Sequence, residues 1–153
     1  MKRVWVLLIC LGVVSCGSNK YGEHPPYPVT GQLLVNGQPA KGAVVILRHK
    51  DDWGEKTIVP MAWTEDEGQF TLSTYASKDG APAGEYLVEV HWPGYKVGRN
   101  IGPDKLGGKY ADPDKSGLTV LIEEQANELN LNLEAELVDV PPFQPGKRLR
   151  GRQ

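Results

Sequence analysis

Gly84-Glu85-Tyr86-Leu87-Val88-Glu89-Val90-His91-Trp92 decides the fold. Tyr86, Val88, Val90 and Trp92 alternate with Leu87, Glu89 and His91. A period of two sends one set of side chains into an apolar interior and the other towards water, the signature of a half-buried strand. On this pattern Trp92 continues the inward set. The alternation recurs on either side, in residues 29–35, 43–48, 70–73, 118–122 and 129–133, with a weaker strand in 57–64. Residues 122–133 are ambiguous between strand and helix. Asn36-Gly37, Asp66-Glu67-Gly68, Asp79-Gly80 and Pro93-Gly94 fall between the runs, where Gly supplies positive φ and Asn or Asp tolerates it. The 18 Gly and 12 Pro in 153 residues, and the lack of an apolar helical stripe longer than two turns, argue against a helical bundle. The expectation is an all-β domain, a seven-stranded antiparallel β-sandwich over residues 28–140. The longest connection without strand character is 93–117.

Residues 1–15 read as a separate segment. Lys2 and Arg3 precede the apolar run Val4 to Val14, and Ser15-Cys16 follows. A basic start, an apolar core and a small residue match a secretory signal peptide, and the run is shorter than the roughly 20 residues that span a bilayer. Val13-Val14-Ser15-Cys16 resembles the lipobox of bacterial lipoproteins. The resemblance implies cleavage before Cys16 and acylation of its thiol and amino group, a palmitate-type anchor in the membrane. Gly17 at the next position implies sorting to the outer membrane. Residues 16–27, with Gly, Ser, Asn and two Pro, then form a tether. Cys10 and Cys16 are the two cysteines of the chain, so the exported part has no thiol for a disulfide and must be held by its apolar core.

The formal net charge of −2 gives no case for nucleic acid as a partner. The charge is unevenly placed, however. Cys16 to Val140 holds 11 basic and 19 acidic residues, whereas residues 141–153 carry Lys147, Arg148, Arg150 and Arg152 and no acid. That Pro- and Arg-rich tail is either a solvated terminus or a contact for an anionic surface such as lipid headgroups.

Candidate chemistry is sparse. His24, His49 and His91 lie in different segments without the spacing of a metal pair, so no metal ligand or cofactor is assigned. Asp112-Pro113-Asp114-Lys115-Ser116-Gly117 with Glu123 imitates a calcium loop. The β-branched run 118–122 would carry Glu123 away from the aspartates, which favours a plain turn. No nucleophile elbow or phosphate-cradling loop occurs. Among the tryptophans, Trp53 lies in a polar turn and is the candidate for an exposed ligand-stacking platform, the bland alternative being a loop anchor. Trp63 could face either way.

Several segments together resemble one family. Residues 31–46, with Gly37-Gln38-Pro39 and Gly42-Ala43-Val44-Val45, the hairpin Thr64 to Leu72, and Gly84-Glu85-Tyr86-Leu87-Val88-Glu89-Val90 are similar to transthyretin-like, or carboxypeptidase-regulatory-like, domains. Lys109-Tyr110-Ala111-Asp112 and Ser116 to Val120 look like the continuation found in small exported bacterial lipoproteins. The resemblance covers roughly residues 28–134 and implies a transthyretin-like sandwich. Hydroxyisourate hydrolases share that fold and end in Tyr-Arg-Gly-Ser, whereas this chain ends Leu149-Arg150-Gly151-Arg152-Gln153. The expected role is therefore a non-enzymatic, lipid-anchored binding or structural module of the cell envelope, its partners membrane lipid through Cys16 and an envelope protein or glycan. The alternatives are a surface carbohydrate-binding module and, further off, a hydrolase of unrecognised type.

Overall fold

Period-two alternation becomes strand wherever at least one neighbouring strand supplies the hydrogen bonds. A computed structural model describes residues 24–51 and 59–144. In chain order these form β1 (Pro26–Tyr27), β2 (Val29–Val35), β3 (Gln38–Pro39), β4 (Val44–His49) and β5 (Met61–Trp63). A 3-10 turn at Asp66–Gly68 leads to β6 (Gln69–Thr71), β7 (Ala81–Pro82) and β8 (Gly84–His91). Then come β9 (Lys96–Val97), β10 (Asn100–Ile101), the helical turn α1 (Pro113–Ser116), β11 (Thr119–Ile122) and β12 (Asn127–Leu133). The expected strands correspond to β2, β4, β5, β6, β8, β11 and β12. The ambiguous stretch 122–133 resolves into the end of β11, a turn, and β12.

Two four-stranded layers pack face to face. One has the order β11-β8-β4-β5 and is antiparallel throughout. In the other, β2 is flanked by β12 on one side and by β3 and β6 on the other. Met61 and Ser73 exchange two backbone hydrogen bonds of 3.0 Å and so stitch β5 of the first layer to the chain beyond β6 of the second. Inward residues interleave between the layers: Val45, Leu47, Tyr86, Val88 and Val90 from one, Leu33, Val35, Phe70, Leu131 and Leu133 from the other. This two-layer arrangement is how an antiparallel sheet with one apolar face hides it.

Three expectations need correction. The sandwich is not antiparallel throughout: β12 runs parallel to β2, with Asn127 opposite Val29 and Leu133 opposite Val35. Side-chain alternation has the same period in both directions, and no short turn joins these two strands, so nothing local fixed their sense. Pro93-Gly94 does not reverse the chain; it opens a narrow ribbon through β9 and β10 that reverses at Gly98-Arg99, where Gly98 has φ 59°. Segment 93–117 therefore has strands of its own. Trp92, placed in the core by alternation, does pack against it but is only half-buried, just past the end of β8, where its indole N–H donates to the carbonyl of Lys41 at 2.9 Å.

The Asn36-Gly37 turn behaves as expected, with φ of 53° and 74°, both in the left-handed region that a tight hairpin turn requires. Gly31 has a different role. It sits inward between Val29 and Leu33, and a β-carbon there would collide with the carbonyl oxygen of Leu129 and the Phe70 ring. Phe70, paired across from Gly31, occupies the space the glycine leaves. Thr64 is the buried polar hub: its hydroxyl accepts from the Ala43 amide at 2.8 Å and donates to the Ala40 carbonyl at 2.5 Å.

Gly31→Ala is expected to lower stability by about 1–3 kcal/mol in urea unfolding, the cost of forcing backbone and ring apart; an unchanged midpoint would mean the pair relaxes freely. Tyr86, fully buried, donates its hydroxyl to the Pro82 carbonyl at 2.9 Å, and burial, with a lesser contribution from Tyr75, holds its phenol well above the ordinary tyrosine value. The fold thus favours the protonated phenol. Its contribution is complete below pH about 10, and declines as pH rises from there towards the elevated folded value. Tyr86→Phe should flatten that alkaline decline and cost about 1 kcal/mol at neutral pH.

Candidate functional site

The outer face of the β11-β8-β4-β5 layer is unusually apolar for a surface that antiparallel sheets commonly leave polar. The register sets it in rows. Val44 lies between Trp63 on β5 and His91 on β8, and Ile46 lies between Met61 and Glu89. Val44, Ile46, Met61, Trp63 and His91, with Pro93 at the base of the β9–β10 ribbon and Ile101 in it, line a groove of about 350 Å³, within the size range of small-ligand sites. Val44 and Ile46 form its floor. Met61 is 38% exposed, and the Lys96 ammonium stands 3.5 Å from the centroid of the Trp63 ring, a cation–π contact at the rim.

A charged cluster borders the groove. Glu89 is 9% exposed although it projects from the outer face, because two neighbours cover it. Arg48 Nε donates to one carboxylate oxygen at 3.1 Å, and His91 Nε2 lies 2.7 Å from the other. The Glu89–His91 contact fixes the imidazole beside the apolar floor, and Arg48 neutralises the carboxylate. The arrangement can offer hydrogen-bonding groups to a ligand in the groove. Asp104 at the groove's end has different work: its carboxylate accepts from the amides of Trp92 at 2.8 Å, Leu106 at 3.1 Å and Gly108 at 3.0 Å. It knits the segment after β10, whose Leu106 and Tyr110 are buried against the core.

The opposite layer has a depression of about 390 Å³ lined chiefly by Thr30, Gln32, Gln69, Thr71, Glu128 and Asn130. There Gln32 donates to the Glu67 carbonyl at 2.8 Å, and Asn130 to Glu128 at 3.1 Å. It is a solvated polar sheet face whose side chains satisfy one another.

The residues singled out from sequence divide sharply. Cys16, Trp53, Lys147, Arg148, Arg150 and Arg152 lie outside the described residues, as do residues 1–15 and most of the tether. Trp63 faces outward, into the groove rim. His49 and His91 sit near opposite ends of the β4–β8 pairing, opposite Tyr86 and Val44 respectively. Among the described residues no cluster of His, Cys, Asp and Glu could hold a metal ion. The calcium-like sequence forms an N-capped helical turn: Asp112 accepts from the Asp114 amide at 3.1 Å and from Lys115 Nζ at 2.5 Å, Gly117 ends the turn with φ 71°, and β11 follows. Alternation did not flag the groove. The signal lay in Ala43-Val44-Val45-Ile46-Leu47, five consecutive apolar residues, which gives a strand apolar on both faces.

No family model matches this sequence, and no curated protein does. A solved structure of a 9R-lipoxygenase from Cyanothece PCC8801 shares 15% identity over 80% of this chain, with a TM-score of 0.37. The chain spans 18% of the length of that protein.

Glu89→Gln keeps the shape and removes the charge, leaving Arg48 without its counter-ion. Urea unfolding at neutral pH should show a loss of about 1–2 kcal/mol. Identical midpoints for the two proteins would mean the cluster holds nothing in place.

Proposed function

We propose that this chain is an exported, lipid-anchored, non-catalytic binding module of the cell envelope, with the apolar groove as its ligand face. The single observation that carries the binding role is the groove itself: two adjacent apolar rows on the outer face of a sheet, bordered by Trp63 and by a polar cluster at His91. Water in contact with such a surface is released when a partner covers it, which favours association. The anchor is supported by the sequence order Lys2-Arg3, apolar run, Val13-Val14-Ser15-Cys16. Acylation at Cys16 would add about 0.8 kcal/mol per buried methylene, enough for stable attachment with two or more chains. The motifs within residues 28–134 support a domain of the transthyretin-like kind, and Gly17 supports the outer membrane as its destination. Among the described residues no helix is long and apolar enough to cross a membrane, and the proposed anchor requires none.

Two measurements test the two halves separately. Growth with labelled palmitate should label the protein and fail to label Cys16→Ala; label that survives the substitution, or none on the unsubstituted chain, removes the anchor. A photo-crosslinking residue at Met61 should yield one discrete adduct in intact envelopes, absent when the same residue replaces Thr71 on the polar face. Ile46→Asp should abolish the Met61 adduct while leaving the far-ultraviolet dichroism unchanged. Equal labelling at both positions, or an adduct indifferent to Ile46→Asp, removes the groove.

A further inference from the structure

Among the described residues β12 is the longest strand at a sheet edge, seven residues paired on one side only. In a parallel pair, alternate residues of a strand spend both amide and carbonyl on the same neighbour. Asn127 donates to the Pro28 carbonyl at 2.9 Å and the Leu133 carbonyl accepts from Asn36 at 2.8 Å, so Asn127, Leu129, Leu131 and Leu133 serve β2. The amides and carbonyls of Glu128, Asn130 and Asn132 therefore point away from β2, and no strand among the described residues meets them. Sheet edges are commonly blunted by brevity, by Pro, by Lys or by a bulge. Here β3 is short and carries Pro39, and β5 is stitched to Ser73. β12 has no Pro, no cation and an unbroken register.

Such an edge is a template for an added strand, and its charge selects which. The turn into β12 and the strand itself carry Glu123, Glu124 and Glu128 and no cation. Among the described residues none of these carboxylates is in an ion pair. Across the outer face Glu128 lies beside Thr30 and Thr71, and Asn130 beside Gln32 and Gln69, all uncharged. Past Leu133 the balance changes, because Lys109 donates to the Glu134 carbonyl at 2.6 Å. Two β12 edges laid together would gather both sets of carboxylates along one seam, so the edge suits a cationic strand.

The chain itself supplies one. In Lys147-Arg148-Leu149-Arg150-Gly151-Arg152, alternation gives the three arginines one face of an extended strand and Leu149 the other. Laid along β12, the arginines fall on the outer face with Glu128, and Leu149 falls inward beside Leu129 and Leu131. That side of the core is open, since Leu118 and Val120 at the neighbouring edge are only partly buried. A chain's own tail is led away from β12 along the β9–β10 ribbon, where Val138 donates to the Lys105 carbonyl at 2.8 Å and Phe143 packs on Tyr95 with ring centroids 5.3 Å apart.

We propose that residues 147–152 of one copy add to the free edge of β12 in another, an exchange that closes a dimer when it is reciprocal. It rests on neither the groove nor the lipid anchor. Isotopically heavy and light samples of the full chain, with the photo-crosslinker benzoylphenylalanine in place of Asn132, are mixed in detergent and irradiated. Adducts joining position 132 to residues 147–152 are expected, heavy–light pairs among them. Asn130→Pro removes an amide that β2 does not use; it should leave the far-ultraviolet dichroism unchanged and abolish the adduct. Arg148→Glu with Arg150→Glu should lower the yield at least about fivefold, the effect of two exposed cross-strand charge pairs, and Glu128→Arg in the accepting copy should restore it. Adducts confined to single chains, adducts to other segments alone, none at all, or a yield indifferent to the arginine reversals would overturn it.

Discussion

Everything on the outside of this domain is positioned by the interleaving of two inward faces. With no cysteine after Cys16, no disulfide can form within residues 17–153, and cohesion falls to dispersion and the release of water from Val45, Leu47, Val88, Leu131 and their neighbours. The register of β4 against β8 and β5 follows from that burial, because a slip of one residue would turn Val45 and Leu47 outward. The same register sets Val44 beside Trp63 and His91, and Ile46 beside Met61 and Glu89. The groove is therefore a by-product of the core's alignment, and its geometry is as rigid as that alignment.

The strands were legible from sequence because burial on one face writes itself into every second residue. Tyr86, Val88 and Val90 needed no further information. What burial does not encode is strand direction, so the parallel partnership of β2 and β12 could not be read: Leu129, Leu131 and Leu133 alternate identically either way. The ribbon at 93–104 was invisible for another reason. Its strands are two residues long and carry exposed Lys96, Val97 and Asn100, and two-residue strands have no period to detect.

The candidate site was the least legible part. Sequence drew the eye to rare residue types, Trp53 and the histidines, whereas the groove is built mostly of common aliphatics on the outer side of a strand. His91 has no histidine at metal-pair spacing; its contribution comes from Glu89, two residues earlier on the same face, a spacing that is informative only once the strand is known. Arg48 completes that cluster from the neighbouring strand, a relation no linear motif contains.

The direction of β12 has a mechanical consequence. The first residue of β2 and the last of β12 lie at opposite ends of the same ladder of seven residue pairs. A chain held on its N-terminal side and tugged on its C-terminal side would load these strands lengthwise, so that the rungs between them must rupture together instead of one after another.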